Sequence, residues 1–133
     1  MTLPTVGAPV TALWTALIAL LLLVLMLRVV RLRWTRRIGL GDGGDKQLNK
    51  AVRAHGNAIE TMPIALLLML MFELGGGSAT VLHACGATLL IGRIAHATGL
   101  TRTGGASPGR LLGSACWMAV VVVLVSLIIA RNF

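Results

Sequence analysis

The sequence predicts an all-α fold: an integral membrane four-helix up-down bundle with both termini on the outer, periplasmic side. Hydrophobic residues make up 56% of the 133 residues and charged residues only 12%, whereas soluble domains average about 25% charged residues. A small soluble domain has too little interior to bury so much apolar surface. At about 20 apolar residues per crossing, the length allows about four spans. We therefore expect a single four-span membrane domain over residues 1–133.

The first apolar run has no charged residue before Arg28. A signal peptide carries its cations before its apolar core, and here they follow it. We therefore expect a retained first span over about residues 10–33, with its N-terminus outside. Eight of the twelve Lys and Arg residues lie between the first and second apolar runs, which is the positive-inside pattern of a cytoplasmic loop.

Short, glycine-rich segments separate the remaining apolar runs. We expect a cytoplasmic turn at residues 34–46, an outer turn at 75–78 and a second inner loop at 101–109. The other spans are expected over about residues 47–74, 79–100 and 110–130. Loops this short make consecutive spans antiparallel neighbours, as in an up-down bundle.

The composition argues against nucleic-acid and metal binding. The net charge is +8, but no aromatic residues are interleaved with a basic face, so we expect no nucleic-acid partner. Cys85 and Cys116 lie within apolar runs, with neither a CxxC motif nor a Cys/His metal spacing, so we expect no metal site. The heights of the two cysteines in the membrane should differ by roughly 10 Å, which exceeds the limit of about 7 Å between the Cα atoms of a disulfide. We therefore expect no disulfide between them within one chain.

Polar residues within the apolar spans are the candidates for function. Arg53, Asn57 and Glu60 stand at i, i+4 and i+7 on span 2 and share one face. Arg93 and His96 share a face of span 3. Because span 2 runs outward and span 3 runs back, Glu60 and Arg93 are predicted to meet at one depth. We expect them to form an ion pair, since an isolated charge in lipid is costly.

Asn57 and His96 should meet one turn nearer the cytoplasm, with Arg53 and Arg110 at the rim. One interpretation is an ion pair that merely joins two helices. The surplus of arginines favours another, a cavity for a small, polar, net-anionic ligand that enters from the cytoplasm. Arginine suits such a ligand because its guanidinium can bind a carboxylate through two hydrogen bonds.

The run RAHGNAIETMP at residues 53–63 resembles the start of the second span in the MAPEG family, the membrane-associated proteins in eicosanoid and glutathione metabolism. Three further segments agree: VRLR at residues 30–33, GRIAH at 92–96 and the arginine at position 110. With GDGG and HGNA included, the chain looks most like the small bacterial, YecN-like branch of the family. The resemblance covers nearly the whole chain and implies a multi-pass protein of the bacterial inner (plasma) membrane, in contact with membrane lipid.

The resemblance also implies a homotrimer that binds glutathione, as a co-substrate, in cytoplasm-facing clefts between protomers. Arg110 matches the family's thiolate-stabilising arginine and is the expected catalytic residue. A neighbouring cation lowers the pKa of a thiol, so its task would be to favour the thiolate. The expected glutathione-binding residues are Arg31, Arg53, Asn57, Glu60, Arg93 and His96.

The chain departs from the prostaglandin-synthase members of the family at two of these motifs. Those members carry Arg where this chain has Gly56, and Tyr where it has Leu100. The sequence contains no Tyr at all, which excludes a tyrosine-assisted mechanism. The departures argue against eicosanoid synthesis and weaken the assignment as a transferase.

Three functions remain open on the sequence. The first is a glutathione-dependent, transferase- or peroxidase-like membrane enzyme that presents the glutathione thiolate to lipophilic electrophiles. The second is a non-catalytic membrane protein that binds glutathione or another anionic small molecule. The third is a small proton-coupled transporter, which the lack of an acidic residue in the first span disfavours.

Overall fold

The computed structural model describes residues 7–102 and 107–132, which form four long helices and no strand. The helices are α1 (Pro9–Arg36), α2 (Lys46–Leu74), α3 (Ala79–Arg102) and α4 (Pro108–Asn132). The all-α prediction is therefore confirmed. The largest difference from the expected spans is at the end of α1, which continues to Arg36 rather than ending at Arg33.

By length and composition, α1, α2 and α4 can each cross a membrane. Helix α3 is not among these three, and His83, Arg93 and His96 lower the hydropathy of its apolar run. Of these three side chains, Arg93 and His96 are buried inside the bundle. A polar residue that faces the bundle interior is compatible with a helix at membrane depth.

Helices α2 and α3 occupy the centre of the bundle. They contact each other, and each also contacts α1 and α4, whereas the described residues of α1 and α4 do not contact each other. Every pair of consecutive helices is in contact, as the short connections require. The bundle therefore has a rhombic cross-section, with α1 and α4 at its far corners.

The most extensive contact lies between α3 and α4, where glycines allow close approach. A Cβ atom on Gly113 would lie 2.5 Å from both the carbonyl oxygen of Gly92 and the Cβ of His96. A Cβ on Gly109 would lie 2.5 Å from the carbonyl oxygen of Ala95. Gly109 and Gly113 stand four residues apart on one face of α4, the small-residue spacing that permits close helix packing in membranes.

Asp45 orders the connection between α1 and α2. Its Oδ1 atom accepts hydrogen bonds from the backbone N–H groups of Gln47 at 2.9 Å and Leu48 at 2.8 Å, which caps the first turn of α2. Its Oδ2 atom lies 3.3 Å from Nε of Arg36, so the last turn of α1 is joined to the start of α2.

Asp42, in the same connection, accepts hydrogen bonds from the backbone N–H of Gly44 at 3.0 Å and from the side-chain amide of Asn49. Both hydrogen bonds stabilise the carboxylate and so hold the pKa of Asp42 below its ordinary value. The bond from Gly44 has the larger effect and the bond from Asn49 the smaller. The GDGG sequence thus forms a compact turn against the start of α2.

Glu73 joins α1 and α2 at the opposite end of the bundle. Its two carboxylate oxygens accept hydrogen bonds from the backbone N–H groups of Val10 at 2.9 Å and Thr11 at 2.7 Å. These are first-turn amides of α1 that have no partner within their own helix. The negative charge also complements the positive end of the helix dipole.

Two glycine-to-alanine substitutions should have opposite effects on stability, because Gly113 lies in the tight contact between α3 and α4 and Gly56, on α2, does not. Gly113→Ala should lower the free energy of unfolding by about 1–3 kcal/mol, because the added methyl group overpacks the contact. Gly56→Ala is the matched control, since nothing lies within 4 Å of its would-be Cβ. It should stabilise α2 by about 0.5–1 kcal/mol through helix propensity. Thermal unfolding in detergent, followed by circular dichroism, measures both. A Gly113→Ala variant that melts at or above the wild-type temperature would contradict the packing argument.

Candidate functional site

A cleft of about 440 Å³ opens at the end of the bundle that carries the α1–α2 and α3–α4 connections, here called the basic end. Its walls come from α2, α3 and α4. The lining residues are Asn49, Lys50, Val52, Arg53, Gly56, Asn57, Glu60, His96, Leu100 and Arg110. The volume is in the range of sites that bind small molecules.

Helical periodicity brings the polar residues of the cleft together. Lys50, Arg53, Asn57 and Glu60 stand at i, i+3, i+7 and i+10, so they share one face of α2. His96 contributes the facing wall from the last turns of α3. The close contact between α3 and α4 then places the first turn of α4 at the same opening.

The cleft carries more positive than negative charge. Lys50, Arg53 and Arg110 supply three cations, and Glu60 supplies the one carboxylate in the lining. Arg53 and Glu60 are exposed, whereas Lys50 and Arg110 are half-buried. Such a surface favours a small molecule that carries several oxyanions and one group complementary to a carboxylate.

Arg93 lies behind the cleft rather than in its wall. Its side chain is 3% exposed. Nη1 donates hydrogen bonds to Oδ1 of Asn57 at 2.5 Å and to Oγ1 of Thr61 at 3.3 Å, and Nη2 donates to the carbonyl oxygen of Gly113 at 2.9 Å. One guanidinium therefore joins α2, α3 and α4.

The predicted ion pair between Glu60 and Arg93 is wrong. Glu60 is exposed, and within the described residues it has no ion pair with Arg93. The expected depth of Glu60 gives its position along the axis of α2, but it does not give the side of the helix on which the side chain lies. Thr61 lies about 40° from Asn57 around the helix, and Glu60 about 60° to the other side. Asn57 and Thr61 therefore face Arg93, and Glu60 faces the cleft.

The structure brings together five of the seven residues that the sequence suggested for the site. Arg53, Asn57, Glu60, His96 and Arg110 line the cleft. Arg93 supports the cleft from behind through Asn57. Arg31 is exposed on α1 and does not line it.

Sequence reasoning missed Lys50, Asn49 and Thr61. Lys50 belongs to the group of cations between the first two apolar runs. Its spacing of three residues before Arg53 and seven before Asn57 is the signal that places it on the same face of α2. Asn49 lines both the cleft and a recess beside Asp42. No sequence signal identified Thr61, because its role depends on the direction from which Arg93 approaches.

The two cysteines lie outside the cleft and are free, as predicted. The Cβ of Cys116 lies beside Gly92, at 2.7 Å from where a Cβ on that glycine would stand. Cys85 precedes Gly92 by seven residues on α3, which is about 10 Å along the helix axis. Among the described residues no cluster of three or more His, Cys, Asp or Glu side chains is placed to hold a metal ion.

Comparisons with known proteins identify one protein family and two related sequences. The model of the MAPEG family matches residues 11–130. The chain is also similar to the inner membrane protein YecN of Escherichia coli strain K12 and to its counterpart in Escherichia coli O6:H1. In each case 87 aligned residues are 48% identical and cover 65% of this chain and 66% of the relative. The aligned region thus spans just under two thirds of the length of these relatives.

The position of Glu60 predicts that its charge contributes little to folding. Glu60→Gln should change the free energy of unfolding by less than about 0.5 kcal/mol, as for an exposed surface substitution. Asn57→Leu is the contrasting variant. It removes an acceptor from the buried guanidinium and should cost about 1–3 kcal/mol. Thermal unfolding of the purified protein compares the two. A loss of several kcal/mol in Glu60→Gln would restore the ion pair that the structure contradicts.

Proposed function

The chain belongs to the MAPEG family, and from this premise we propose that it is a glutathione-dependent enzyme of the inner membrane. In this proposal the cleft at the basic end binds glutathione as a co-substrate and presents its thiolate to lipophilic electrophiles or hydroperoxides that arrive from the bilayer. The family includes glutathione-dependent transferases, and the YecN relatives are named as inner membrane proteins. The apolar helices α1, α2 and α4 fit such a membrane location.

The observation that carries the proposal is the charge of the cleft. Glutathione has two carboxylates, one ammonium group, two amides and one thiol. Lys50, Arg53 and Arg110 can bind carboxylates, and Glu60 can bind the ammonium group. A cleft of about 440 Å³ has room for a molecule of this size.

Arg110 is the proposed catalytic residue because of its place in α4. It lies in the first turn of the helix, and its backbone N–H donates to Oγ of Ser107 at 3.4 Å. The positive end of the α4 dipole and the guanidinium both favour an anion at this point. An ordinary thiol has a pKa of about 8.5, and both effects would lower the pKa of a thiol bound here. No protein nucleophile is required, since glutathione supplies its own.

The exposed position of Arg31 supports a role across a subunit boundary. Arg31 lies on the outer surface of α1 and does not reach the cleft of its own chain. In the homotrimer that we propose, α1 of one protomer packs beside the cleft of the next. Arg31 then adds a fourth cation to Lys50, Arg53 and Arg110 around bound glutathione, and membrane lipid surrounds the remaining apolar surface of the trimer.

Gly56 and Leu100 favour a second candidate, a protein that binds glutathione or another anionic small molecule without turnover. Both residues line the cleft, and neither has a polar side-chain group to orient a substrate. Conjugation of glutathione to chlorodinitrobenzene, measured beside glutathione binding on one detergent-solubilised sample, separates the two. Binding with turnover supports the enzyme, and saturable binding without turnover on any electrophile supports the second candidate.

Two arginine variants test the assignment of roles. Arg110→Ala should raise the pKa of the bound glutathione thiol by about one unit or more while some binding remains, because other cations still hold the carboxylates. Arg31→Ala should weaken binding with less effect on that pKa. The ultraviolet absorbance of the thiolate, followed against pH with glutathione bound, measures the difference. An unchanged thiolate signal in Arg110→Ala would show that another group stabilises the thiolate.

A further inference from the structure

We infer that Arg93 is a positioning residue that fixes the side-chain amide of Asn57, so that the amide presents its N–H donors to the cleft. The inference rests on the proposed function for the identity of the ligand. It also assigns a chemical property to one wall of the site: at Asn57 the ligand must offer an oxygen acceptor, such as a carboxylate or a carbonyl group.

The chemistry of arginine settles which atom of Asn57 faces it. A guanidinium has five N–H donors and no acceptor. The Asn57 atom that lies 2.5 Å from Nη1 must therefore be the amide oxygen. The amide nitrogen then points away from Arg93, and within the described residues it donates to no protein group. Since Asn57 lines the cleft, this nitrogen is the atom offered to a ligand.

Two further hydrogen bonds keep Arg93 in this orientation. Nη2 donates to the carbonyl oxygen of Gly113 on α4 at 2.9 Å, and Nη1 also donates to Oγ1 of Thr61 at 3.3 Å. The Thr61 hydroxyl in turn donates to the backbone carbonyl of Asn57 at 2.7 Å. A reversed Asn57 amide would place its donors against the donors of a side chain that is only 3% exposed. A buried donor left without an acceptor is unfavourable, so one orientation dominates.

Asn57→Asp tests the inference because it changes the chemistry of the cleft while it preserves the contact with Arg93. One carboxylate oxygen replaces the amide oxygen at Arg93, and the other replaces the donor with a negatively charged acceptor in the cleft. We expect glutathione affinity, measured by isothermal titration, to fall about tenfold or more. The melting temperature should equal or exceed that of the wild type, since the buried guanidinium gains a counter-charge.

Thr61→Val is the matched control. It removes another acceptor of Arg93, but Thr61 does not line the cleft. Asn57 and Gly113 still accept hydrogen bonds from Arg93 in this variant, so we expect its glutathione affinity to stay within about threefold of the wild type. A purely structural role for the Arg93 contacts would instead make affinity follow the melting temperature in both variants.

A second measurement needs no ligand. Asn57→Asp is compared in the natural background and in an Arg93→Met background by thermal unfolding. The substitution should leave or raise the melting temperature when Arg93 is present and lower it when Arg93 is absent, because the inner carboxylate oxygen then loses the buried guanidinium as its donor. Non-additivity of this kind is the signature of a direct interaction.

The results separate the inference from the proposed function. Glutathione affinity of Asn57→Asp within about twofold of the wild type would overturn the inference, as would equal changes in melting temperature in the two backgrounds. If the wild type does not bind glutathione at all, the proposed function fails. The comparison of melting temperatures then decides alone whether Arg93 holds the oxygen of Asn57.

Discussion

The buried guanidinium of Arg93 is the interaction on which the basic half of the bundle depends. From α3 it reaches α2 through Asn57 and α4 through Gly113, so three helices are fixed relative to one another by directional hydrogen bonds. Its partners in the structure are neutral oxygens, and its charge therefore adds to that of Lys50, Arg53 and Arg110 around the cleft. A guanidinium suits this place because it is planar, offers five donors and is less strongly hydrated than an ammonium group.

Glycines make the position of Arg93 possible. In lipid, helices gain little from the hydrophobic effect when they associate, so close packing and hydrogen bonds decide how they pair. Gly113 lets α4 approach α3 closely enough for its carbonyl oxygen to accept from Arg93, and the same contact sets His96 against α4. The contact that stabilises the bundle thus also brings the first turn of α4 to the cleft.

The sequence alone predicts the positions of the helices and the residues on the face of α2 that lines the cleft. Apolar runs and glycine-rich breaks locate the helices, and the spacing of Arg53, Asn57 and Glu60 gives their common face. The partner of Arg93 was not predictable in this way, because depth and spacing do not determine the rotation of one helix against another. The contact of Glu73 with the start of α1 was missed for a related reason: it depends on how two helix ends meet, which is a property of the assembled bundle.

The contact between Glu73 and the start of α1 has a consequence for biogenesis. The backbone amides of Val10 and Thr11 are synthesised first, yet they receive their acceptor from a residue that follows them by 63 and 62 positions. Until the last turn of α2 is in place, the first turn of α1 lacks this cap. At the other end of the same pair, the contact of Arg36 with Asp45 joins residues that are close in sequence, so both partners are present once the chain reaches the start of α2. The hairpin of α1 and α2 thus has one end whose contact can form early in synthesis and another whose contact cannot form until Glu73 has been made.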